Sequence, residues 1–530
     1  MSGAAARLWL APESVCLPPL LAAARLEPSQ AERMSALARE LLAGAPERGI
    51  EAFTRRLPLA SPAGAALLSL AEALLRVPDA GNAERLIRDQ LGGVDWRQAE
   101  PGGLLGALLG LAAASVGPAE ATASGALRRS VSALATPLVR GALYGAMRAL
   151  SGRFVYAERI ETALARARRE RASTGHASAP QRYSFDMLGE AALTAADAER
   201  YLQAYEHAIH AVGAAYRGHG VLQGGGVSVK LSALHPRYSD AQRMRVMTEL
   251  LPRLRQLARS AQRYELALEL IEALMSEPEL RSWAGLGVAV QAYQKRAPAV
   301  IEHLIALAAR RGPPLLLRLV KGAYWDAEIK RAQLQGLAGF PVYSRKVYTD
   351  VAYLACARRM LAAPAQLVPQ FATHNAQTVA ELLVLAQDSG APEMEFQRLY
   401  GMGETLYARE RALESLGRPV RLYAPVGERA TLLAYLMRRL LENGAAASFV
   451  HRAASGRRAI DGLIADPVVR ASALGSAPHP QIRAPRALFE PERRNSLGLD
   501  LADAAARAPL LEALVDSRGV CLTIEPLLAT

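Results

Sequence analysis

Cysteine, aromatic residues and long apolar runs are all scarce in this chain of 530 residues. Its three cysteines, Cys16, Cys356 and Cys521, show neither pairing nor metal-ligand spacing, which argues against a disulfide framework and a zinc site and favours a reducing, cytoplasmic setting. Aromatic residues make up 5% of the chain, which favours a helix-rich protein over a sandwich or an all-β barrel. No charge-free stretch of about twenty apolar residues occurs and the N-terminal apolar run is short, so we expect neither a membrane span nor a signal peptide.

The balance of charge is basic, with a formal net charge of +13 at pH 7. The basic residues are spread through helical stretches such as residues 166–171 and are not gathered in a tail, which indicates solvated helix faces. A basic chain of this kind can also rest on an anionic membrane surface, and we keep that as a secondary expectation.

The length of the chain predicts more than one domain, because single hydrophobic cores stop growing well below 530 residues. Residues 1–150 show helical patterns with short breaks and predict an all-helical arm or accessory domain. Residues 151–180 predict a linker helix followed by a loop rich in Ser, Gly and Pro. A third unit spans residues 181–455, and residues 456–530 predict a linker followed by a fragment of another domain.

The third unit alternates short β-like runs with helical segments, a pattern typical of parallel strands joined by crossovers. No Gly-rich dinucleotide-binding fingerprint follows the first run, so an α/β fold of the β/α barrel type is favoured over a doubly wound sheet. In such a barrel the chemistry lies where the strands end. The runs are residues 183–188, 227–234, 288–293, 315–321, 368–373, 395–400 and 420–424.

Basic side chains are concentrated where these predicted strands end, and a helical run at residues 435–444 contains two adjacent arginines. Each such residue alone is more often structural than catalytic, since long basic side chains can snorkel to the solvent. Several at successive strand ends favour a binding site. The basic members of the set are Lys230, Arg318, Lys321, Lys346, Arg438 and Arg439.

A cationic set of this kind suits a bulky anionic ligand together with a substrate that carries a carboxylate. His and carboxylate residues do not occur at metal-ligand spacing, and no Ser, His and Asp set presents itself for nucleophilic catalysis. The sequence therefore predicts an enzyme whose chemistry is supplied by an organic cofactor, with no metal site.

Seven segments of the chain, taken in order, resemble the proline dehydrogenase family. More closely, they resemble the proline dehydrogenase half of the bacterial bifunctional proline utilization A proteins. The resemblance covers most of residues 50–500 and includes the predicted helical arm. The segments are residues 70–79, 183–190, 229–234, 318–326, 371–375, 423–427 and 435–444.

The resemblance implies a flavin-containing β/α barrel that oxidises L-proline to 1-pyrroline-5-carboxylate and passes electrons to ubiquinone. It also implies a cytoplasmic protein that associates peripherally with the inner face of the plasma membrane, and a homo-oligomer is compatible with it. Position by position, the resemblance assigns the proline carboxylate to Lys230, Arg438 and Arg439, and the pocket around the proline ring to Tyr423 and Tyr435.

The resemblance further places Arg318 near the reactive nitrogen of the flavin. The positions that it assigns to FAD binding are Gln291, Arg318, Val320, Lys321, Gly322, Ala323, Trp325, Ser344, Lys346, Thr349, His374, Asn375 and Glu442.

One departure from the family pattern concerns the strand that follows Lys230, which in the family ends in Asp-Ala-Glu-Glu with an active-site aspartate. Residues 239–276 have a helix-like pattern here, so we expect a barrel from which this strand and its carboxylate are deleted. The alternative is that residues 264–270, which alternate with period two, form the strand and that Glu269 stands in for the aspartate. The deletion leaves a rival open, namely a non-catalytic remnant of the family that cannot close its barrel or bind flavin.

Two further departures concern the ends of the chain. Residues 492–500 resemble the start of an aldehyde dehydrogenase half, but no nucleotide-binding fold or catalytic cysteine follows, so we expect that second activity to be absent from this chain. Some family members carry an N-terminal ribbon-helix-helix domain. Residues 1–50 show no β-ribbon pattern, so we expect no DNA binding despite the positive charge.

Overall fold

The computed structural model describes residues 3–42, 82, 154–173, 181–189, 191–264, 267–269, 278–390, 393–413, 417–427, 460–501 and 503–517. Within these residues, eight parallel strands close into a barrel in chain order, with the first strand paired to both the second and the eighth. The strands are β1 (Arg182–Met187), β2 (Gly226–Ser228), β3 (Ala267–Glu269), β4 (Leu286–Gln291), β5 (Leu315–Val320), β6 (Leu367–Ala372), β7 (Glu395–Leu399) and β8 (Val420–Val426). The predicted α/β barrel is confirmed, and each of the seven predicted strands is present.

Helices connect the strands and precede and follow the barrel. Local sequence fixes several of their ends. Thr194, for example, accepts a hydrogen bond from the backbone of Asp197, whose carboxylate accepts from Thr194 in return. The described helices are α1 (Gly3–Arg7), α2 (Glu13–Ala24), α3 (Pro28–Leu42), α4 (Ile160–Ser173), α5 (Ala195–Ala215), α6 (Gly220–Gln223), α7 (Arg243–Arg263), α8 (Ala297–Arg311), α9 (Trp325–Leu334), α10 (Lys346–Leu361), α11 (Ala376–Ser389), α12 (Glu404–Ala412), α13 (Ile460–Leu463), α14 (Pro467–Ser472) and α15 (Ala504–Asp516).

The expected deletion of the strand after Lys230 is wrong. The strand β3 pairs in parallel with β2 on one side, where Glu269 lies beside Ser228, and with β4 on the other, where Glu269 lies beside Gly287. Three residues are enough to join the neighbouring strands, and the barrel thereby avoids two unpaired edges. The alternative, a strand within residues 264–270, is confirmed for residues 267–269, and Glu269 is the last residue of this strand.

The N-terminal helices pack against the outside of the barrel. Leu17 and Leu20 of α2 lie in one buried apolar cluster with Tyr348 and Val351 of α10. Helix α3 packs against α11, and an exposed ion pair joins Arg33 to Asp388 at 2.8 Å. The expected helical character of the N-terminal region is confirmed for residues 3–42. Apart from residue 82, residues 43–153 lie outside the described part of the chain.

A buried ionic network fills the amino-terminal half of the barrel. Glu395, at the start of β7, accepts hydrogen bonds from Arg421 at 2.6 and 3.1 Å and from Arg182 at 3.0 Å. The side-chain amides of Gln370 and Gln397 donate to the same carboxylate at 2.7 and 3.2 Å. Burial alone would raise the pKa of Glu395, but the two guanidinium groups outweigh burial and hold that pKa below its ordinary value. This network was not predicted from the sequence.

Among the residues that the structure describes, no helix combines the length and the apolar character that a bilayer span requires.

Candidate active site

Predicted site residues converge at the carboxyl ends of neighbouring strands. Lys230 follows β2 by two residues, and Arg318 and Val320 lie in the last half of β5. Gln291, the last residue of β4, lies beside Val320 in the strand register. Tyr423 occupies the middle of β8. The fold thus brings together side chains that are separated by up to about two hundred residues in the chain, at the end where barrel enzymes build their sites.

Lys230 forms an ion pair that the sequence analysis missed. Its ammonium donates to both carboxylate oxygens of Asp186 in β1, at 2.7 and 3.0 Å. The Asp186 side chain is 1% exposed and that of Lys230 is 20% exposed. Burial alone would lower the pKa of Lys230, but the carboxylate outweighs burial and raises that pKa above its ordinary value. Lys230 is therefore charged at neutral pH, at the mouth of the barrel.

Arg318 lies between two other barrel residues. Its guanidinium carbon is 4.9 Å from the centre of the Tyr423 ring, within the range of a cation–π contact. Its Nη1 group donates to Oε1 of Gln397 at 3.5 Å. The Tyr423 hydroxyl donates in turn to the hydroxyl of Ser228 at 3.5 Å, which links β8 to β2 across the barrel. Four strands, β2, β5, β7 and β8, are thereby connected through Arg318 and Tyr423.

Two predicted cofactor residues, Lys321 and Lys346, share one carboxylate. Asp350 in α10 accepts from Lys321 at 2.6 Å and from Lys346 at 3.2 Å. Burial would raise the pKa of Asp350, but the two ammonium groups lower it to about 2. Two cations against one anion leave a net positive charge at the end of β5, which is the electrostatic requirement for holding an anionic ligand.

The loop between β5 and α9 begins with a backbone conformation that glycine alone adopts readily. Gly322 has φ +131°, and a Cβ atom added there would overlap the ring of Tyr293. Trp325, the first residue of α9, donates through Nε1 to the carbonyl oxygen of Tyr343 at 2.7 Å. Ala323 between them is exposed. The loop is therefore tightly fixed at Gly322 and at Trp325 and open between them.

Several predicted cofactor residues are engaged by other parts of the protein. The Ser344 hydroxyl donates to the carboxylate of Glu13 at 3.0 Å and accepts from the backbone of His479 at 2.8 Å. Asn375 caps α11 by accepting from two backbone amides. Thr349 is buried within α10. These contacts hold the N-terminal helix α2, the loop before α10 and the segment after α14 in place.

His374 has a defined tautomer. Its Nε2 atom accepts a hydrogen bond from the backbone amide of Leu399 at 3.1 Å, so the neutral ring carries its proton on Nδ1. The remaining predicted residues, Tyr435, Arg438, Arg439 and Glu442, lie outside the described part of the chain.

The acidic and amide partners of the predicted cations were not predicted from the sequence. Asp186, Asp350 and Gln397 each contact a basic residue that the sequence analysis had singled out. Asp186 lies within residues 183–190, a segment that carries the family resemblance, so the resemblance could have identified it. The residues that the structure describes hold no group of three or more His, Cys, Asp or Glu side chains arranged to bind a metal ion.

Family models match three parts of the chain. The one described as proline dehydrogenase matches residues 169–452, which is more than half of the 530 residues. The one described as the proline utilization A proline dehydrogenase N-terminal domain matches residues 4–44. A third, described as the DNA-binding domain of proline dehydrogenase, matches residues 49–154.

The third match contradicts the expectation that this chain has no DNA-binding segment. That expectation rested on the missing β-ribbon pattern in residues 1–50, whereas the match covers residues 49–154. Most of those residues lie outside the described part of the chain. The absence of a β-ribbon pattern from residues 1–50 therefore does not exclude a DNA-binding segment in residues 49–154.

The chain is also similar to complete proteins. The bifunctional protein PutA of Salmonella typhimurium is 46% identical over 554 residues, which cover 96% of this chain and 41% of that protein. PutA of Rhizobium meliloti is 44% identical, covering 98% of this chain and 44% of that protein. A crystal structure of a Bradyrhizobium japonicum proline utilization A mutant matches with a TM-score of 0.74 at 42% identity, covering 98% of this chain and 53% of that one.

The chain spans less than half the length of these two curated relatives and corresponds to their N-terminal, proline dehydrogenase half. The match over more than half of its residues, on a closed barrel with the basic strand ends described above, shows that the chain belongs to the proline dehydrogenase family.

Proposed function

We propose that this chain is an FAD-dependent proline dehydrogenase that oxidises L-proline to 1-pyrroline-5-carboxylate, the first step of proline catabolism to glutamate. The observation that carries the proposal is the group of basic side chains at the carboxyl ends of the barrel strands, with Lys230 after β2 and Arg318 and Lys321 at the end of β5. Barrel enzymes place their chemistry at this end. Membership of the family supplies the reaction.

The substrate carboxylate is the group that the cations match. Lys230 is charged at neutral pH, and we assign it to this carboxylate together with Arg438 and Arg439. Tyr423 and Tyr435 would shape the pocket around the proline ring. Fixing the carboxylate orients the ring carbon next to the nitrogen, so the contribution of these residues is mainly one of orientation.

The residues at the end of β5 fit FAD. Lys321 and Lys346 supply two ammonium groups against the single carboxylate of Asp350, which suits an anionic diphosphate. Gly322 lets the loop after β5 pack directly against the ring of Tyr293, which fixes the backbone beside these cations. Bound FAD would accept the hydride that leaves the ring carbon next to the proline nitrogen. The other residues proposed to hold FAD are Gln291, Arg318, Val320, Ala323, Trp325, Ser344, Thr349, His374, Asn375 and Glu442.

Glu269 is our candidate for the carboxylate that the family carries on the third strand. It is the last residue of β3 and lies beside Ser228 of β2 in the strand register. Ser228 accepts from the hydroxyl of Tyr423, so this row of the barrel leads to the proposed proline pocket. Glu269 would then supply, on the short strand β3, the carboxylate that the reaction uses in the family.

The family resemblance further supports ubiquinone as the acceptor of the electrons and a cytoplasmic location with peripheral contact to the plasma membrane, and it is compatible with a homo-oligomer. The rival proposal is a non-catalytic remnant that cannot close its barrel. The pairing of β3 with both β2 and β4 favours the enzyme over that rival.

The test is an absorbance spectrum of the purified chain supplied with FAD, recorded before and after anaerobic addition of L-proline. A flavin spectrum that bleaches on L-proline is the expected result, and D-proline is the matched control for the oriented carboxylate. A protein that takes up no FAD would contradict the cofactor assignment. A yellow protein that ignores L-proline would contradict the reaction and direct attention to Glu269.

A further inference from the structure

We propose that Gln397 is a positioning residue for Arg318, holding the guanidinium in the orientation that the reaction needs. The inference rests on the proposed function, since it takes Arg318 to lie near the reactive nitrogen of the flavin. Neither the sequence analysis nor the family resemblance singled out Gln397. Its side chain is 1% exposed and lies inside the barrel, on the strand β7.

The orientation of the Gln397 amide is determined by its neighbour Glu395. An ionised carboxylate can only accept hydrogen bonds, so the NH₂ end of the amide faces Glu395, to which it donates at 3.2 Å. The carbonyl end is thereby directed away from Glu395. It accepts from Nη1 of Arg318 at 3.5 Å. The amide therefore has one stable orientation, in which its acceptor faces the guanidinium.

Glu395 can impose this orientation because it is itself fixed and charged. Arg421 binds it through two nitrogens at 2.6 and 3.1 Å, and Arg182 adds a third contact at 3.0 Å. Both arginines help to keep the pKa of Glu395 low against the effect of burial. Gln397 lies two residues after Glu395 on the same face of β7, one layer nearer the carboxyl end of the barrel.

Tyr423 confines Arg318 from another side. The guanidinium carbon lies 4.9 Å from the ring centre of Tyr423, which itself lies two residues after Arg421 on the same face of β8. The Tyr423 ring attracts the guanidinium but does not fix its rotation, whereas a hydrogen bond to the Gln397 carbonyl does. Tyr423 therefore sets the position of the guanidinium, and Gln397 sets the directions of its N–H groups.

A matched control is available in Gln370. Its amide donates to the same carboxylate of Glu395 at 2.7 Å, a shorter contact than that of Gln397, and its side chain is 2% exposed. The hydrogen bonds of its amide described in the structure include none to Arg318. A variant at Gln370 therefore disturbs the buried network at least as strongly, while it leaves the acceptor facing Arg318 in place.

The experiment compares Gln397→Met with Gln370→Met in the full chain. For Gln397→Met we expect kcat to fall by about tenfold with KM for proline changed by less than about twofold, and the flavin midpoint potential to become more negative, because a cation near the flavin favours its reduced, anionic form. Gln370→Met is expected to keep both values near those of the unaltered protein. Equal shifts in the two variants, or none in either, would overturn the proposal.

A second variant and a structural measurement complete the experiment. If Gln397→Met does not fold, Gln397→Asn retains the amide but shortens its reach, and the same loss of kcat is expected. Crystal structures of the variants without flavin report on Arg318 directly. A guanidinium that turns relative to the Tyr423 ring only in the Gln397 variant supports the proposal even if the chain oxidises no proline, whereas one that keeps its orientation overturns it.

Discussion

Lys230 donates to both carboxylate oxygens of Asp186, at 2.7 and 3.0 Å, and so joins the ends of two adjacent strands inside the mouth of the barrel. The acid is almost completely buried and the lysine is partly exposed. Because the carboxylate outweighs the effect of burial on the lysine, the pKa of Lys230 is raised. The ammonium of Lys230 is thus a charged group that can meet a second carboxylate without any change of protonation.

Asp186→Asn should remove that property. Without the acid, burial dominates and the pKa of Lys230 falls, so a growing share of the lysine loses its charge as the pH rises. We expect the KM for proline to increase by about tenfold and to increase further with rising pH. The free energy of unfolding should fall by about 3 kcal/mol, because a buried charge loses its partner. Steady-state kinetics across alkaline pH and urea denaturation measure the two effects.

Lys230→Met is the control for this prediction. It removes the titrating group, so its KM should be high but should show no additional dependence on alkaline pH. If Asp186→Asn keeps an unchanged, pH-independent KM, Lys230 does not bind the substrate carboxylate.

Gly322→Ala should damage cofactor binding more than stability alone explains. At φ +131° any side chain is strained, and the added Cβ would also overlap the Tyr293 ring, so the loop after β5 must move. Gly312 at the end of α8 is a matched control, because it also has a positive φ, +105°, with nothing within 4 Å of the added Cβ. We expect both variants to lose about 1 kcal/mol or more of stability, and only Gly322→Ala to lose FAD. Thermal unfolding measures the loss of stability, and the absorbance of bound flavin measures FAD content. Equal flavin content in the two variants would contradict the prediction.

Glu395→Gln should be strongly destabilising, by roughly 3–5 kcal/mol, since Arg182 and Arg421 would be buried without an acid. The folded pKa of Glu395 is lowered, so its contribution to stability is present above the ordinary value of 4.5 and is lost as the pH falls below it. Glu302→Gln breaks a half-exposed ion pair with Arg359 and should cost less than about 1 kcal/mol. Denaturation at neutral pH compares the two, and similar losses would contradict a structural role for the buried network.

The architecture was largely predictable because seven strands carry a strong β pattern between helical segments. The strand β3 was not, since its three residues lie in a helix-like stretch and owe their conformation to pairing with β2 and β4. Closure of the barrel overrides the local pattern there. Local periodicity alone carries no information about the stabilisation that β3 gains by pairing with its two neighbours.

The candidate site was predictable at its cations and not at their partners. Lys230 and Arg318 stand out as charges in apolar runs, and the family resemblance supplied their roles. The alternation of Glu395 and Gln397 with apolar residues is also typical of a strand with one face exposed to solvent. In the structure, both side chains are buried inside the closed barrel. The contact between Ser344 and Glu13 joins residues 331 positions apart, a distance at which no local pattern gives a signal.

Glu381→Gln should stabilise the protein at neutral pH. Glu381 in α11 is buried, one of its oxygens accepts from Gln377 at 2.7 Å, and the other has no hydrogen-bond partner among the residues that the structure describes. Burial and the nearby carboxylate of Asp466 raise its pKa to about 8, although Arg358 and Lys321 oppose the change.

Since the folded protein keeps Glu381 protonated while the unfolded chain releases the proton near pH 4.5, stability falls as the pH rises from about 4.5 to about 8. The neutral amide of Gln avoids this loss, so the variant should be more stable by roughly 2 kcal/mol at pH 7 and equal to the unaltered protein near pH 4.5. Thermal unfolding at both pH values measures the difference. A variant that is less stable at both would show that the carboxyl group makes a contact that the amide cannot replace.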